Sequence, residues 1–249
     1  MKRAPSDEFY IGYADRAPAG LARFVKRAVA LLAVGTVGLF GLMASTQGRQ
    51  PTGLFEFLEQ HRFEGVLYME PVPYLRMTSP GGGVSQLLLV GFGKFGVPEE
   101  YRQHDGRKVV FRGNLIYREQ LAMVEMNDPE SFRELGPPGP GEGRSRSGPI
   151  GEVSLTGELV DTKCWLGVMR PATGKVHRGC AVRCLAGGIP PGLLVRDREG
   201  NADLFLLVGD DGSRLELDPQ WAARTIRVRG SLESADGLPV LRVAELGLM

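Results

Sequence analysis

The chain's three cysteines, Cys164, Cys180 and Cys184, fall in one short stretch together with His177, one of three histidines. The local sequence reads Asp161-Thr-Lys-Cys164-Trp-Leu-Gly and then His177-Arg-Gly-Cys180-Ala-Val-Arg-Cys184-Leu-Ala-Gly-Gly. Three thiols and one imidazole are four soft or borderline donors, the number that closes a tetrahedral zinc shell. Thiolates also suit copper(I), the alternative ion. The same residues support two other chemistries. In an oxidising compartment Cys164 could bridge Cys180 or Cys184 as a structural staple, which leaves one cysteine over. A bridge with a third thiolate beside it could instead exchange, making the chain a thiol-disulfide oxidoreductase acting through Cys180 or Cys184. The ligand count puts the metal reading first, and the two thiol readings stay open.

These groups need elements to bring them together. His177, Cys180 and Cys184 stand at i, i+3 and i+7, a spacing that predicts one face of one helix. Gly187-Gly188 would end that helix and Pro190-Pro191 would keep it from resuming. Cys164 belongs to the end of a preceding strand and must fold over to meet the helix. Lys163, Lys175 and Arg178 are close in sequence and would favour thiolate over thiol by their charge. Asp161, at a strand end, is expected in solvent, with orientation of a ligand as its alternative role. Trp165 is expected to pack over the inserted segment. His61 and His104 have no cysteine nearby and read as surface residues. Gly91-Phe-Gly-Lys-Phe-Gly96 lacks the order of a phosphate loop and reads as a turn.

A stretch dense in Gly, Pro and Ser, taken as a linker over 135–149, separates a first module (50–134) from a second (150–249). The modules share a weak repeat. Glu64–Glu70 matches Thr156–Thr162, Leu87–Gly91 matches Phe205–Gly209, and Val109–Leu115 matches Ile226–Leu232. The interval between the first two matched segments is much longer in the second module, and that insertion holds the whole His/Cys cluster. Short Val, Leu and Ile runs bounded by Gly, Asp and Pro predict antiparallel strands. In Thr225–Gly230 and Leu238–Val243 the period of two predicts one face packed inward and the other in water. Pro98–His104 and Asp218–Arg224 each read as a short helix with proline near its start. The expected fold is mainly β: an N-terminal transmembrane helix followed by two small OB-like β-barrel modules, with a small sandwich as the alternative.

Residues 28–48 carry no charged side chain and are long enough to cross a bilayer core of about 30 Å. A cleaved signal peptide is the rival, but the leader 1–27 is long and Leu42 spoils the small-residue pattern before Ser45. Lys2, Arg3, Arg16, Arg23, Lys26 and Arg27 precede the span, whereas Arg49 and Arg62 follow it, which predicts a cytoplasmic N-terminus and modules outside the cytoplasm. The leader's Asp7–Tyr13 mixes aromatics with charges and would touch a partner or the headgroup layer, or stay loose. With 30 basic and 29 acidic residues the formal charge is +1, which supplies no field for holding nucleic acid.

Val160-Asp-Thr-Lys-Cys164 followed by His177-Arg-Gly-Cys180-Ala-Val-Arg-Cys184-Leu-Ala-Gly-Gly188 resembles a widespread group of small exported bacterial proteins of uncharacterised function. Their pattern is Asp-Ser-Lys-Cys, then His-x2-Cys-Ala-x2-Cys, a Gly-containing stretch and a late Val-x-Gly hairpin. The similarity covers roughly residues 151–245, implies a bacterial envelope protein and supports treating Cys164, His177, Cys180 and Cys184 as one site, which the ligand count reads as a metal site. Together with the span 28–48 and the basic residues before it, this predicts a single-pass protein of the bacterial inner membrane. The anchor and first module are additions to that pattern. The anchor-plus-barrel layout is similar to that of the haem chaperone of cytochrome c maturation, but the C-terminal His motif of that family is absent, which argues against haem delivery. The expected role is therefore non-catalytic: an accessory or assembly subunit of a membrane complex, taken to be a redox one, touching the membrane through 28–48.

Overall fold

The computed structural model describes residues 17–46, 53–79, 81–145 and 148–249. The leader motif Asp7–Tyr13, the charges Lys2, Arg3, Arg16 and Arg49, and positions 47–48 of the expected span lie outside the described residues. Helix α1 runs Ala19–Thr46 and so begins earlier than the expected 28. Ala, Leu, Arg and Lys in 19–27 are good helix formers, so the basic residues Arg23, Lys26 and Arg27 join the helix rather than precede it. Pro18 stands just ahead of the first turn, where its fixed φ suits a helix start, and its carbonyl accepts from Ala22 N at 2.9 Å. The stretch Ala19–Ser45 reaches a mean hydropathy of 2.1 and none of its most apolar window is buried. It is long and apolar enough to cross a membrane, properties that a signal sequence shares.

Among the described residues, ten strands form two closed barrels. The first contains β1 (Leu54–Tyr68), β2 (Tyr74–Thr78), β3 (Val84–Gly91), β4 (Lys108–Arg118) and β5 (Leu121–Gly136), in the order β1-β2-β3-β5-β4. The second contains β6 (Gly148–Asp161), β7 (Pro191–Arg196), β8 (Ala202–Gly209), β9 (Thr225–Ala235) and β10 (Leu238–Leu248), and repeats that order as β6-β7-β8-β10-β9. In each barrel the third and fifth strands pair in parallel and the other pairs are antiparallel. The chain is thus mainly β, with two OB-like barrels after one apolar helix. A 3-10 helix joins the third and fourth strands of each barrel, Glu99–His104 in one and Pro219–Trp221 in the other. Asp218 caps the second, accepting from Gln220 N at 2.9 Å. The three repeated segments fall on the first, third and fourth strands of both barrels, so the sequence repeat has a structural equivalent.

The apolar pattern explains how the barrels pack. In β3, Leu87 and Leu89 fill the first barrel with Leu67, Phe111 and Val124, whereas Leu88 and Val90 turn outward. In β8, Leu207 fills the second barrel with Leu193, Ile226 and Leu241, whereas Leu206 and Val208 turn outward. The outward residues of both barrels meet in one buried cluster with Val66, Leu194 and Val240. A continuous apolar run is what a strand buried on both faces requires. Strand β9 keeps the expected alternation, with Arg227 and Arg229 exposed between buried Ile226 and Val228. Strand β10 departs from it: Val240 joins the inter-barrel cluster while Leu241 and Val243 fill the barrel, so both faces are buried at Val240 and Leu241 before Arg242 turns half-exposed.

The Gly/Pro/Ser-rich stretch is fastened to both barrels, to the second through Ser145 N, which donates to Asp236 Oδ1 at 3.0 Å. The Arg144 guanidinium lies 4.3 Å from the Tyr68 ring, and Glu142 O accepts from Arg76 Nε at 3.2 Å. Arg76 also pairs with Asp236 across the barrels at 2.8 Å, both side chains being buried. Residues Pro51–Met249 form one compact unit.

Candidate metal centre

The loop joining first and second strands spans 69–73 in the first barrel and 162–190 in the second, and the cysteines occupy the longer one. Strand β6 ends at Asp161; the chain then makes a π-helical turn over Cys164–Val168 and returns through helix α2, Arg178–Ala186. Helix α2 sets Cys180 and Cys184 one turn apart on its inner side. Gly187 ends it, its N–H donating to Arg183 O at 2.9 Å, and Gly188, whose N–H donates to Leu185 O at 3.1 Å, then takes the left-handed conformation at φ +98°.

Cys164 Sγ lies 3.8 Å from Cys180 Sγ and 4.0 Å from Cys184 Sγ, and all three sulfurs are within 4.8 Å of one another. The thiols are free, Cys164 and Cys184 buried and Cys180 half-buried. A disulfide needs sulfurs about 2.05 Å apart. Thiolates about 2.3 Å from one zinc ion at tetrahedral angles stand about 3.8 Å apart. The observed separations therefore match the edges of a metal's sulfur shell.

His177, the fourth expected ligand, goes elsewhere. It caps the start of α2 with its ring directed at Asp161, Nε2 2.8 Å from Oδ2, and both side chains are out of solvent. It groups with Asp161 and Cys164 and not with Cys180 and Cys184. The cause is Asp161, which is fully buried rather than solvated: its carboxylate needs donors and takes the Cys164 N–H at 2.8 Å together with the His177 ring. The other ring nitrogen, Nδ1, is buried without a hydrogen-bond partner among the described residues.

The cation beside the sulfurs is Lys94, from the loop after β3 of the first barrel. Its Nζ is 2.7 Å from Cys180 Sγ and 3.9 Å from Cys184 Sγ. Two contacts place it. Gly96 N donates to Gly187 O at 3.0 Å, and a Cβ on Gly187 would stand 1.9 Å from Lys94 O, so only glycine lets the two backbones approach. Lys163, expected to act on the thiols, instead clamps this loop: its buried Nζ donates to Gly93 O at 2.6 Å, Gly91 O at 3.0 Å and Glu125 Oε1 at 2.5 Å. Lys175 is exposed, and Arg178 reaches Ala223 O at 3.4 Å. Sequence reasoning misses Lys94 because it belongs to the other barrel; its one signal is the Gly-flanked run 91–96, which reads as a turn. Trp165 is buried in the inter-barrel cluster beneath the Arg118 guanidinium, 4.5 Å away. His61 and His104 pair with Glu56 and Glu134, each at 2.6 Å.

The electrostatics separate the thiols. A hydrogen bond from Cys164, helped by the nearby ammonium of Lys94, holds Cys184 below the ordinary thiol range. Donating that hydrogen bond, together with burial, pushes Cys164 up. The hydrogen bond to Cys180 raises Lys94 and keeps it charged. Thiolate character beside a fixed cation is what a soft metal ion or an electrophile would meet here.

No protein-family model matches the chain, and no curated protein matches it. Among solved structures, a deletion mutant of the single-stranded DNA binding protein from Thermus aquaticus is 14% identical over 80% of this chain and 95% of that one, with a TM-score of 0.21. A likeness at that level does not extend to what this chain binds. The site is thus characterised by its own geometry: three thiols of the second barrel close enough to share one metal ion.

Proposed function

We propose that the chain is a membrane-anchored accessory protein whose paired barrels hold one soft metal ion, zinc or copper(I), on Cys164, Cys180 and Cys184. The observation that carries this reading is the pair of Sγ separations, 3.8 and 4.0 Å, which a shared metal ion explains and a disulfide does not. The ion's role is structural. It would tie the turn at Cys164 to α2 beneath the first barrel's Lys94 loop, so binding energy becomes folding energy of the insertion. Helix α1 supports anchoring in a bacterial inner membrane with the barrels outside the cytoplasm, and the Asp-x2-Cys and His-x2-Cys-x3-Cys resemblance supports an envelope protein. The barrels' exterior would then serve a membrane-protein partner, a redox complex.

The test uses the full-length chain purified anaerobically in detergent. One ion per chain with three thiols protected from alkylation until a chelator is added supports the reading, and its loss in Cys180→Ser ties the ion to the site. Three freely reactive thiols with no ion would refute it.

A second reading has one observation in its favour. Cys180 is the most accessible of the three thiols and carries the Lys94 ammonium at 2.7 Å, the setting of an attacking thiol. As an oxidoreductase the protein would instead show reversible formation and loss of one bridge at mild potential.

A further inference from the structure

We propose that the resident ion is copper(I), bound by three sulfurs alone, with the Lys94 ammonium covering the side where a fourth ligand would stand. This rests on the metal reading above and narrows it to one class of ion: a soft, monovalent cation.

Two observations favour this ion over a closed zinc shell. Among the described residues, no fourth His, Cys, Asp or Glu donor lies within 4.8 Å of all three sulfurs. His177, the nearest candidate in sequence, holds Asp161 with Nε2, and it does not come within that distance of all three sulfurs. Structural zinc sites complete four ligands, whereas thiolates alone satisfy copper(I). The measured separations fit either ion. At a bond length of about 2.3 Å, a tetrahedral edge is about 3.8 Å and a trigonal edge about 4.0 Å, so the ligand count decides.

The second observation is charge. Lys94 Nζ, 2.7 Å from one sulfur and 3.9 Å from another, sits within a few ångströms of any ion the three sulfurs share. An ammonium has no lone pair and cannot ligate. Coulomb repulsion scales with the ion's charge, so a divalent ion is opposed twice as strongly as a monovalent one. The clamp on this loop, Lys163 to Gly91, Gly93 and Glu125, together with the Gly96–Gly187 contact, resists moving the ammonium away. Lys94 is thus a positioning residue that sets selectivity and donates to a sulfur instead of to the ion. Binding forms three copper–sulfur bonds and releases to solvent whatever thiol protons remain; no electron moves.

The test compares two ions on the metal-free, reduced, full-length chain in detergent under argon. Copper(I), buffered by bicinchoninate, and zinc(II), buffered by a chromophoric chelator, are titrated separately and then against each other. The expected result is one copper(I) per chain that displaces bound zinc at one equivalent, with an X-ray absorption spectrum showing a sulfur-only shell. Lys94→Met, which keeps the apolar stem, should lower the copper-over-zinc affinity ratio at least ten-fold, and Lys94→Arg should leave it within three-fold. Zinc retained against one equivalent of copper(I), or a ratio unmoved by Lys94→Met, would overturn the copper assignment while leaving the three-thiol site intact. Binding of neither ion would overturn the metal reading itself.

Discussion

Lys163→Met removes a buried cation while keeping the volume of its stem. In the wild-type chain Lys163 and Glu125 are 2% and 4% exposed at the side chain, and the Lys163 Nζ satisfies two carbonyls besides the carboxylate. After the change, Glu125 keeps one donor, Gly93 N at 3.1 Å, and its Oε2 already has no partner among the described residues. Breaking a buried ion pair from one side costs about 3–5 kcal/mol, a large share of a domain's total of about 5–15 kcal/mol. The buried carbonyl of Gly91 loses this donor as well, whereas that of exposed Gly93 can turn to water. Urea denaturation of the full-length chain in detergent, followed by the fluorescence of buried Trp165, measures the loss. The double variant Lys163→Met/Glu125→Met deletes both charges and should recover most of the stability, because an apolar pair needs no partner. A single variant within about 1 kcal/mol of wild type, below the buried-pair range, would refute the claim that this pair clamps the loop, as would a double variant no more stable than the single.

Leu88 is fully buried in the inter-barrel cluster, so Leu88→Ala should cost about 2–5 kcal/mol and leave a single unfolding transition seen alike by near- and far-ultraviolet circular dichroism. Asp236→Ala leaves the Arg76 guanidinium buried and unpaired, with a stability loss of about 3–5 kcal/mol expected from the same denaturation experiment. Gly187→Ala drives a Cβ into Lys94 O and should displace the loop that carries the ammonium. The readout is alkylation of Cys180 in the metal-free protein at a rate clearly different from wild type; an unchanged rate would count against the Lys94 contact.

The barrels are legible in sequence because their signals are local. Gly65, Leu87–Gly91 and Val109–Leu115 recur in the second half in the same strand positions, and helix α2 follows from the spacing of Cys180 and Cys184 and from Gly187-Gly188. The loop sequence also places all three cysteines at one insertion. What it does not carry is pairing across the barrels. Lys94 reaches Cys180 only because Leu88, Val90, Leu206 and Val208 face outward and pack the barrels together, a consequence of both halves at once. Spacing to the thiols assigns His177 to them, but a competitor with a stronger need, the buried carboxylate of Asp161, takes it. The charge-free run 28–48 marks an apolar span and not the start of α1, which reaches back to Ala19 because Arg and Lys are good helix formers.

The most direct test is X-ray absorption at the metal edge of the reduced full-length chain after loading and removal of excess ion. Three sulfur neighbours at about 2.3 Å, lost together in Cys180→Ser, are the expected result. A shell of nitrogen and oxygen, or a chain that retains no ion and carries a Cys164 disulfide, would contradict a shared site on Cys164, Cys180 and Cys184.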